Sequence, residues 1–164
     1  MIGRTKPYPM RLSTLSIAIG LFSVSLITSC KKDEADPCDN VTCLNGGSCN
    51  SGACSCATGY EGATCGTEVR AKFIGLYNGT MACTGMSQAG SLTITNSAAS
   101  ISSIVISDGT DTFVGTVSGS SVNIATQTIS GAVTVSGSGQ LAGLILTLNL
   151  NLSGNTCTYT GTKQ

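Results

Sequence analysis

The chain has 164 residues, of which only 10% are charged, with eight basic residues balancing eight acidic ones. It has nine cysteines but neither histidine nor tryptophan, so Ser-His or Cys-His nucleophile pairs and histidine metal sites are excluded. No basic patch interleaves with aromatic residues, and no nucleic-acid partner is expected.

The N-terminal segment reads as an export signal. Arg4, Lys6 and Arg11 form a basic start, and Leu12 to Ile27 is an apolar run diluted by serines. That run is short for a bilayer span, which takes about 20 apolar residues. The next residues, Ile27-Thr28-Ser29-Cys30, resemble the lipobox of bacterial lipoproteins. The resemblance implies a signal peptide over 1–29, cleavage before Cys30, and acylation of the Cys30 thiol, with palmitate-type chains as membrane anchor. Two or more chains give stable attachment where one does not. Lys31-Lys32-Asp33-Glu34 is similar to the lysine-then-acidic signal of surface-exposed lipoproteins of Bacteroidota. It implies a lipid-anchored protein of the outer membrane at the cell surface, with a periplasm-facing location as the alternative. Residues 30–37 are then a lipidated tether. Without the signal, five basic residues face eight acidic ones, a net charge of −3.

Cys38, Cys43, Cys49, Cys54, Cys56 and Cys65 crowd the segment 38–65 in the spacing C-x4-C-x5-C-x4-C-x-C-x8-C. Only Val41, Leu44 and Tyr60 are sizeable apolar groups between them, too few for a core, so cross-links must supply stability. An exported chain is an oxidising context, but spacing alone permits fifteen pairings of six cysteines. The run from Cys54 to Cys65, with Gly59-Tyr60 and Gly62, and the turn Asn45-Gly46-Gly47-Ser48-Cys49 resemble the EGF-like module. The resemblance implies pairing Cys38–Cys49, Cys43–Cys54 and Cys56–Cys65. The interval Asn50-Ser51-Gly52-Ala53 is shorter than in many such modules and offers only Asn50 as an oxygen ligand. Neither calcium nor any other metal is expected; a spacer or adhesion role is.

Residues 66–71 read as a hinge, and composition then changes. From Phe73 to Thr162 the only charged residues are Asp108 and Asp111. β-branched and small polar residues alternate at period 2, the signal of half-buried strands. Strands are expected at Gly75–Cys83, Gly90–Thr95, Ile101–Ser107, Thr112–Ser118, Ser121–Ile124, Thr128–Ser136, Leu141–Leu152 and Thr156–Thr160. Turns are expected at Asp108-Gly109, Ser118-Gly119, Ser136-Gly137-Ser138-Gly139 and Gly154-Asn155. Leucines at 144, 146, 148, 150 and 152 fall on one face of a strand about 30 Å long. The fold class is therefore mainly β, with an antiparallel meander over 72–164 that closes as a barrel or packs as a β-sandwich. Lys72-Phe73-Ile74-Gly75-Leu76-Tyr77 is similar to the opening strand of lipocalin-like barrels, which implies a barrel. The domain also resembles small β domains of uncharacterised Bacteroidota lipoproteins. If first and last strands are neighbours, a Cys83–Cys157 bridge ties them, worth up to about 4–5 kcal/mol in the chain-entropy model.

No catalytic residue, cofactor or phosphate-binding pattern emerges. Asp108 and Asp111 read as a solvated hairpin tip. Two function classes remain. One is a non-enzymatic surface protein that contacts a protein, matrix or cell-surface partner. The other is a lipocalin-like carrier of a small apolar ligand, tethered to the outer membrane.

Overall fold

The period-2 alternation closes on itself. Eight antiparallel strands, taken in chain order, form a barrel in which the last pairs with the first. The computed structural model describes residues 35–164; Cys30 and the lysine-acidic segment after it lie outside the described residues. A cystine-rich module precedes the barrel, built on β1 (Ser48–Asn50), β2 (Ala53–Ser55), β3 (Tyr60–Glu61) and β4 (Thr67–Glu68), and a 3-10 turn at Val69–Phe73 leads out of it. The barrel strands are β5 (Gly75–Cys83), β6 (Met86–Asn96), β7 (Ser103–Ser107), β8 (Thr112–Ser118), β9 (Ser121–Thr128), β10 (Thr134–Ala142), β11 (Ile145–Leu152) and β12 (Asn155–Lys163).

In the module, Cys38 is bonded to Cys49, Cys43 to Cys54 and Cys56 to Cys65. Cys49 and Cys54 face each other across the β1–β2 ribbon, yet each bonds outward to the preceding segment. The ribbon turns through Ser51 and Gly52, both left-handed at φ 51° and 84°, the geometry of a tight two-residue hairpin. Of residues 35–65 only Gly59 and Cys65 are buried. Covalent bonds thus replace the missing apolar core.

The barrel core is dense where the module meets it. Phe73, Tyr77, Ile104, Ile106, Val135, Leu146 and Leu148 are fully buried, and Ile94, Val122, Ile124 and Tyr159 nearly so. An eight-stranded barrel is just wide enough for such side chains to fill. Room for two tyrosines comes from glycines on their own strands, β5 and β12. Gly79 and Gly161 are register partners, and a Cβ on Gly79 would meet the Thr160 carbonyl while one on Gly161 would meet the Tyr159 ring.

Four expectations are revised. Leu141–Leu152 is not one strand: Gly143, at φ 60°, and Leu144 form a two-residue turn between Ala142 and Ile145, which pair with each other. Leu144 is 60% exposed there, and of the five alternating leucines only Leu146, Leu148 and Leu150 are buried. Thr128–Ser136 is likewise broken, because Gly131 and Ala132 adopt left-handed angles of 70° and 65° and reverse the chain. The Ser136–Gly139 stretch lies within β10, not in a turn; a Cβ on Gly137 would meet the Asn149 carbonyl of the neighbouring strand, and a Cβ on Gly139 would meet the Leu148 side chain. These glycines serve close approach rather than chain reversal. Residues 66–71, read as a hinge, include β4 and most of the 3-10 turn, with Val69 buried.

Strand direction gives the barrel two unlike poles. β5 starts, and β12 ends, at the pole carrying the module and the 97–102 loop; the turns at 84–85, 108–111, 129–133 and 153–154 lie at the other. The first pole is closed. The Val69 amide donates to the Gly59 carbonyl at 2.9 Å, and Lys72 Nζ meets Glu61 at 2.7 Å. Arg70 is the clasp: its Nη1 donates to the carbonyls of Ser97, Ser100 and Ser103 at 2.7, 2.9 and 3.1 Å, and its Nε to Glu68 at 2.8 Å. Hydrogen bonds from a charged donor contribute about 1.5–3 kcal/mol. Arg70→Ala should therefore lower unfolding free energy by about 2–3 kcal/mol in urea titrations, and Arg70→Lys, lacking the planar fork, should restore only part of it.

Candidate functional site

The opposite pole is open because the wall around it is uneven. β5 and β6 pair over their full length, from Gly75↔Ile94 to Cys83↔Met86. β6 and β7 pair only from Thr93↔Ser107 to Asn96↔Ile104. Met86–Leu92 thus rises above β7 with no strand partner on that side. The inward positions of this stretch, Met86, Gln88 and Gly90, are all exposed. Two strands further round, β8 and β9 are paired only over Thr116–Ser118 and Ser121–Asn123, but that seam is mended by a side chain. Gln127 Oε1 accepts from the Val114 amide at 2.9 Å, while its Nε2 donates to the Val114 carbonyl at 2.8 Å. The carboxamide stands in for a peptide group in the ladder.

A pocket of about 430 Å³ occupies the unmended side, between the Met86–Leu92 stretch and Asp108–Thr110, with Met81, Leu152 and Tyr159 deeper in. A smaller hollow of about 200 Å³ adjoins it, sharing Met81, Leu92, Asp108 and Leu152 and adding Phe113, Ile129 and Val133. Tyr159 forms the floor: its hydroxyl donates to the Tyr77 carbonyl at 2.8 Å and reaches the Gly90 carbonyl at 3.4 Å. Tyr77 in turn donates to the Phe73 carbonyl at 2.9 Å. Burial pushes both phenols above their ordinary value; for Tyr159 a backbone hydrogen bond at Leu92 works weakly against this. The floor is thus neutral and its hydroxyls are committed downward, which leaves an apolar lining under a polar rim.

Among the described residues, that rim carries the only charge at this pole. Asp108 Oδ1 accepts from the amides of Thr110 and Asp111 at 2.8 and 2.7 Å, and Asp111 Oδ1 accepts from Ser130 at 3.3 Å. Among the described residues, each carboxylate keeps its other oxygen unengaged. The cations near the barrel, Arg70, Lys72 and Lys163, all sit at the closed pole. A third depression, about 510 Å³ on the outer wall, is lined by hydroxyls and amides such as Thr116, Asn123, Gln140 and Asn149, with no charged or aromatic group. Among the described residues no three His, Cys, Asp or Glu side chains converge in a way that would hold a metal.

Of the residues singled out by sequence, Cys83 and Cys157 meet at the mouth. They are register partners in β5 and β12 and are bonded, with Cα atoms 4.1 Å apart. The six module cysteines lie toward the opposite pole, and Cys30 lies outside the described residues. Met81, Met86, Gln88 and Gln127 were not anticipated. The Thr84-Gly85 pair directly after Cys83 was the available signal that a second strand begins at Met86.

Replacing both Cys83 and Cys157 by serine should remove up to about 4 kcal/mol of stability, given the 74-residue separation in the chain-entropy model. Chemical denaturation of the double variant measures it. Alkali gives a second check. Phenols with raised folded-state values keep protons that the unfolded chain releases above about pH 10. Stability conferred by Tyr77 and Tyr159 is complete below that point and is lost as pH rises through the folded-state values. Melting temperature should fall through that window, less steeply in Tyr77→Phe.

Comparison with protein-family models, curated proteins and solved structures finds no match for this chain, so what the mouth can hold follows from its own lining.

Proposed function

We propose that the chain is a non-enzymatic binding protein, anchored to a bacterial outer membrane through acylated Cys30 and displayed at the cell surface, with the barrel mouth as its contact site. The observation that carries this reading is polarity. The chain enters the barrel at the closed pole, and the uneven mouth, with its apolar lining and two carboxylates, lies at the other. In this reading the anchor joins the chain ahead of the module, which leads into the barrel at the closed pole, and the mouth is left free for contact. The cystine-rich module, which resembles an EGF-like unit, serves as a stiff spacer. Its clasp to the barrel through Arg70 and Lys72 suits that role. The outer wall, with Thr147, Asn149, Thr158 and Thr160 facing outward, suits water rather than lipid and leaves membrane attachment to Cys30.

A second reading, a tethered carrier of a small apolar ligand, is favoured by the pocket of about 430 Å³ over Tyr159, a volume within the range of small-molecule sites. It uses the same mouth.

Protease shaving of intact cells tests display and anchoring together. Loss of the barrel without lysis is the expected result, and Cys30→Ser should move the protein to the soluble fraction. Full protection of the barrel in intact cells would place it on the periplasmic side.

A further inference from the structure

We propose that the free edge of β6 over Met86–Leu92 docks an extended, basic peptide segment of a partner protein, which adds to the barrel wall as a ninth strand in the gap above β7. This rests on the mouth being the contact site and names what it contacts.

The phase of the hydrogen bonds follows from the disulfide. In antiparallel pairs, non-hydrogen-bonded partners have the closer Cα atoms, about 4.5 Å against about 5.5 Å. Cys83 and Cys157 are partners at 4.1 Å, so Cys83 is non-bonded toward β12 and bonded toward β6, to Met86. Alternation then turns the N–H and C=O of Ser87, Ala89 and Ser91 away from β5. Because β6–β7 pairing begins only at Thr93, these groups face the gap.

Exposed edges are ordinarily blunted by lysine, proline, a bulge or a covering loop. Met86-Ser87-Gln88-Ala89-Gly90-Ser91 has no charge and no proline, and its pairing to β5 runs without a register shift. The equivalent weakness between β8 and β9 is closed by Gln127, whereas nothing among the described residues closes this one. The stretch spans about 20 Å, enough for a strand of several residues.

Strand addition draws affinity from main-chain bonds and specificity from pockets that take alternate side chains. Both are present here. A strand laid along Ser87–Ser91 would point every second side chain into the pocket over Met81, Leu92 and Leu152. Asp108, at the far side of the gap, and Asp111 beside it carry the only charges at this pole among the described residues. A lysine or arginine in the incoming strand is therefore favoured. A second copy of this chain is not, since it brings the same two carboxylates to the seam.

The test uses the full chain and short capped synthetic peptides in which valine alternates with lysine, read by titration calorimetry with amide chemical-shift mapping. Binding should shift the amides of Ser87, Ala89 and Ser91. Backbone N-methylation of the peptide's edge-facing residues should weaken binding about tenfold or more, the scale of one or two lost hydrogen bonds. Ala89→Pro deletes one gap-facing donor at an edge position where proline is tolerated and should weaken binding similarly, as should Ser87→Pro. Exchanging lysine for glutamate in the peptide should weaken it at least as much. Absence of binding, or equal affinity for the N-methylated peptide, would overturn the proposal, as would a self-association that Ala89→Pro abolishes. Leu152→Glu separates the two levels. If it abolishes binding while both proline variants leave it intact, the mouth is a contact site and the strand addition is wrong. If none of these changes alters binding, both readings fall.

Discussion

Pairing of the first barrel strand with the last is the constraint on which the rest depends. Seven register pairs, from Cys157↔Cys83 to Lys163↔Tyr77, join β12 to β5, and only with that seam closed is there an inside. Closure sets the interior width, and the width explains side chains that would otherwise look arbitrary. Tyr77 and Tyr159 fit because Gly79 and Gly161 face each other across the seam. The chain end is drawn into the same arrangement: the Gln164 amide donates to the Leu76 carbonyl, and Lys163 Nζ to the Lys72 carbonyl, both at 2.9 Å. The disulfide fastens the other end of the seam, where side-chain packing is thinnest.

The molecule divides its stabilising interactions by pole. At the closed pole a nearly buried guanidinium, 11% exposed, satisfies three loop carbonyls, and the apolar core lies directly beneath. The Lys72–Glu61 pair beside it is about a third exposed at both partners, and such pairs contribute about 0–1 kcal/mol. It orients more than it stabilises. At the open pole a covalent bond and a glutamine amide take the place of packing. This asymmetry is what lets one end be rigid while the other stays hollow.

Much of this was legible in sequence, and the failures share a physical cause. β5 and β8 end where alternation ends, at Cys83 and Ser118, because inward residues there are apolar and outward ones polar. The antiparallel meander followed from the same signal, while the barrel rather than a sandwich was implied by the resemblance of Lys72–Tyr77 to the opening strand of lipocalin-like barrels. Alternation misled where a turn preserves it. Leu144 continues the leucine phase of Leu146, Leu148 and Leu150, but Gly143 carries the reversal and Leu144 sits in solvent. The first half of β6 was missed for the converse reason: its inward residues Met86, Gln88 and Gly90 face a hollow, so no apolar rhythm marks them. A pocket is a place where the core signal stops, and periodicity cannot distinguish that from a loop. Gln127 was invisible because its role depends on two strands diverging beside it, a property of the closed barrel and not of any local stretch.

The placement of the two poles also has a mechanical consequence. A barrel held at its closed pole and gripped at its mouth is pulled roughly along its strands. Ladder hydrogen bonds run across the strands, so such a load shears many of them together instead of unzipping them one at a time. Along the β5–β12 seam the last link before the mouth is the Cys83–Cys157 bond, which does not yield to shear. A barrel loaded from pole to pole in this way gives only when many ladder bonds break together.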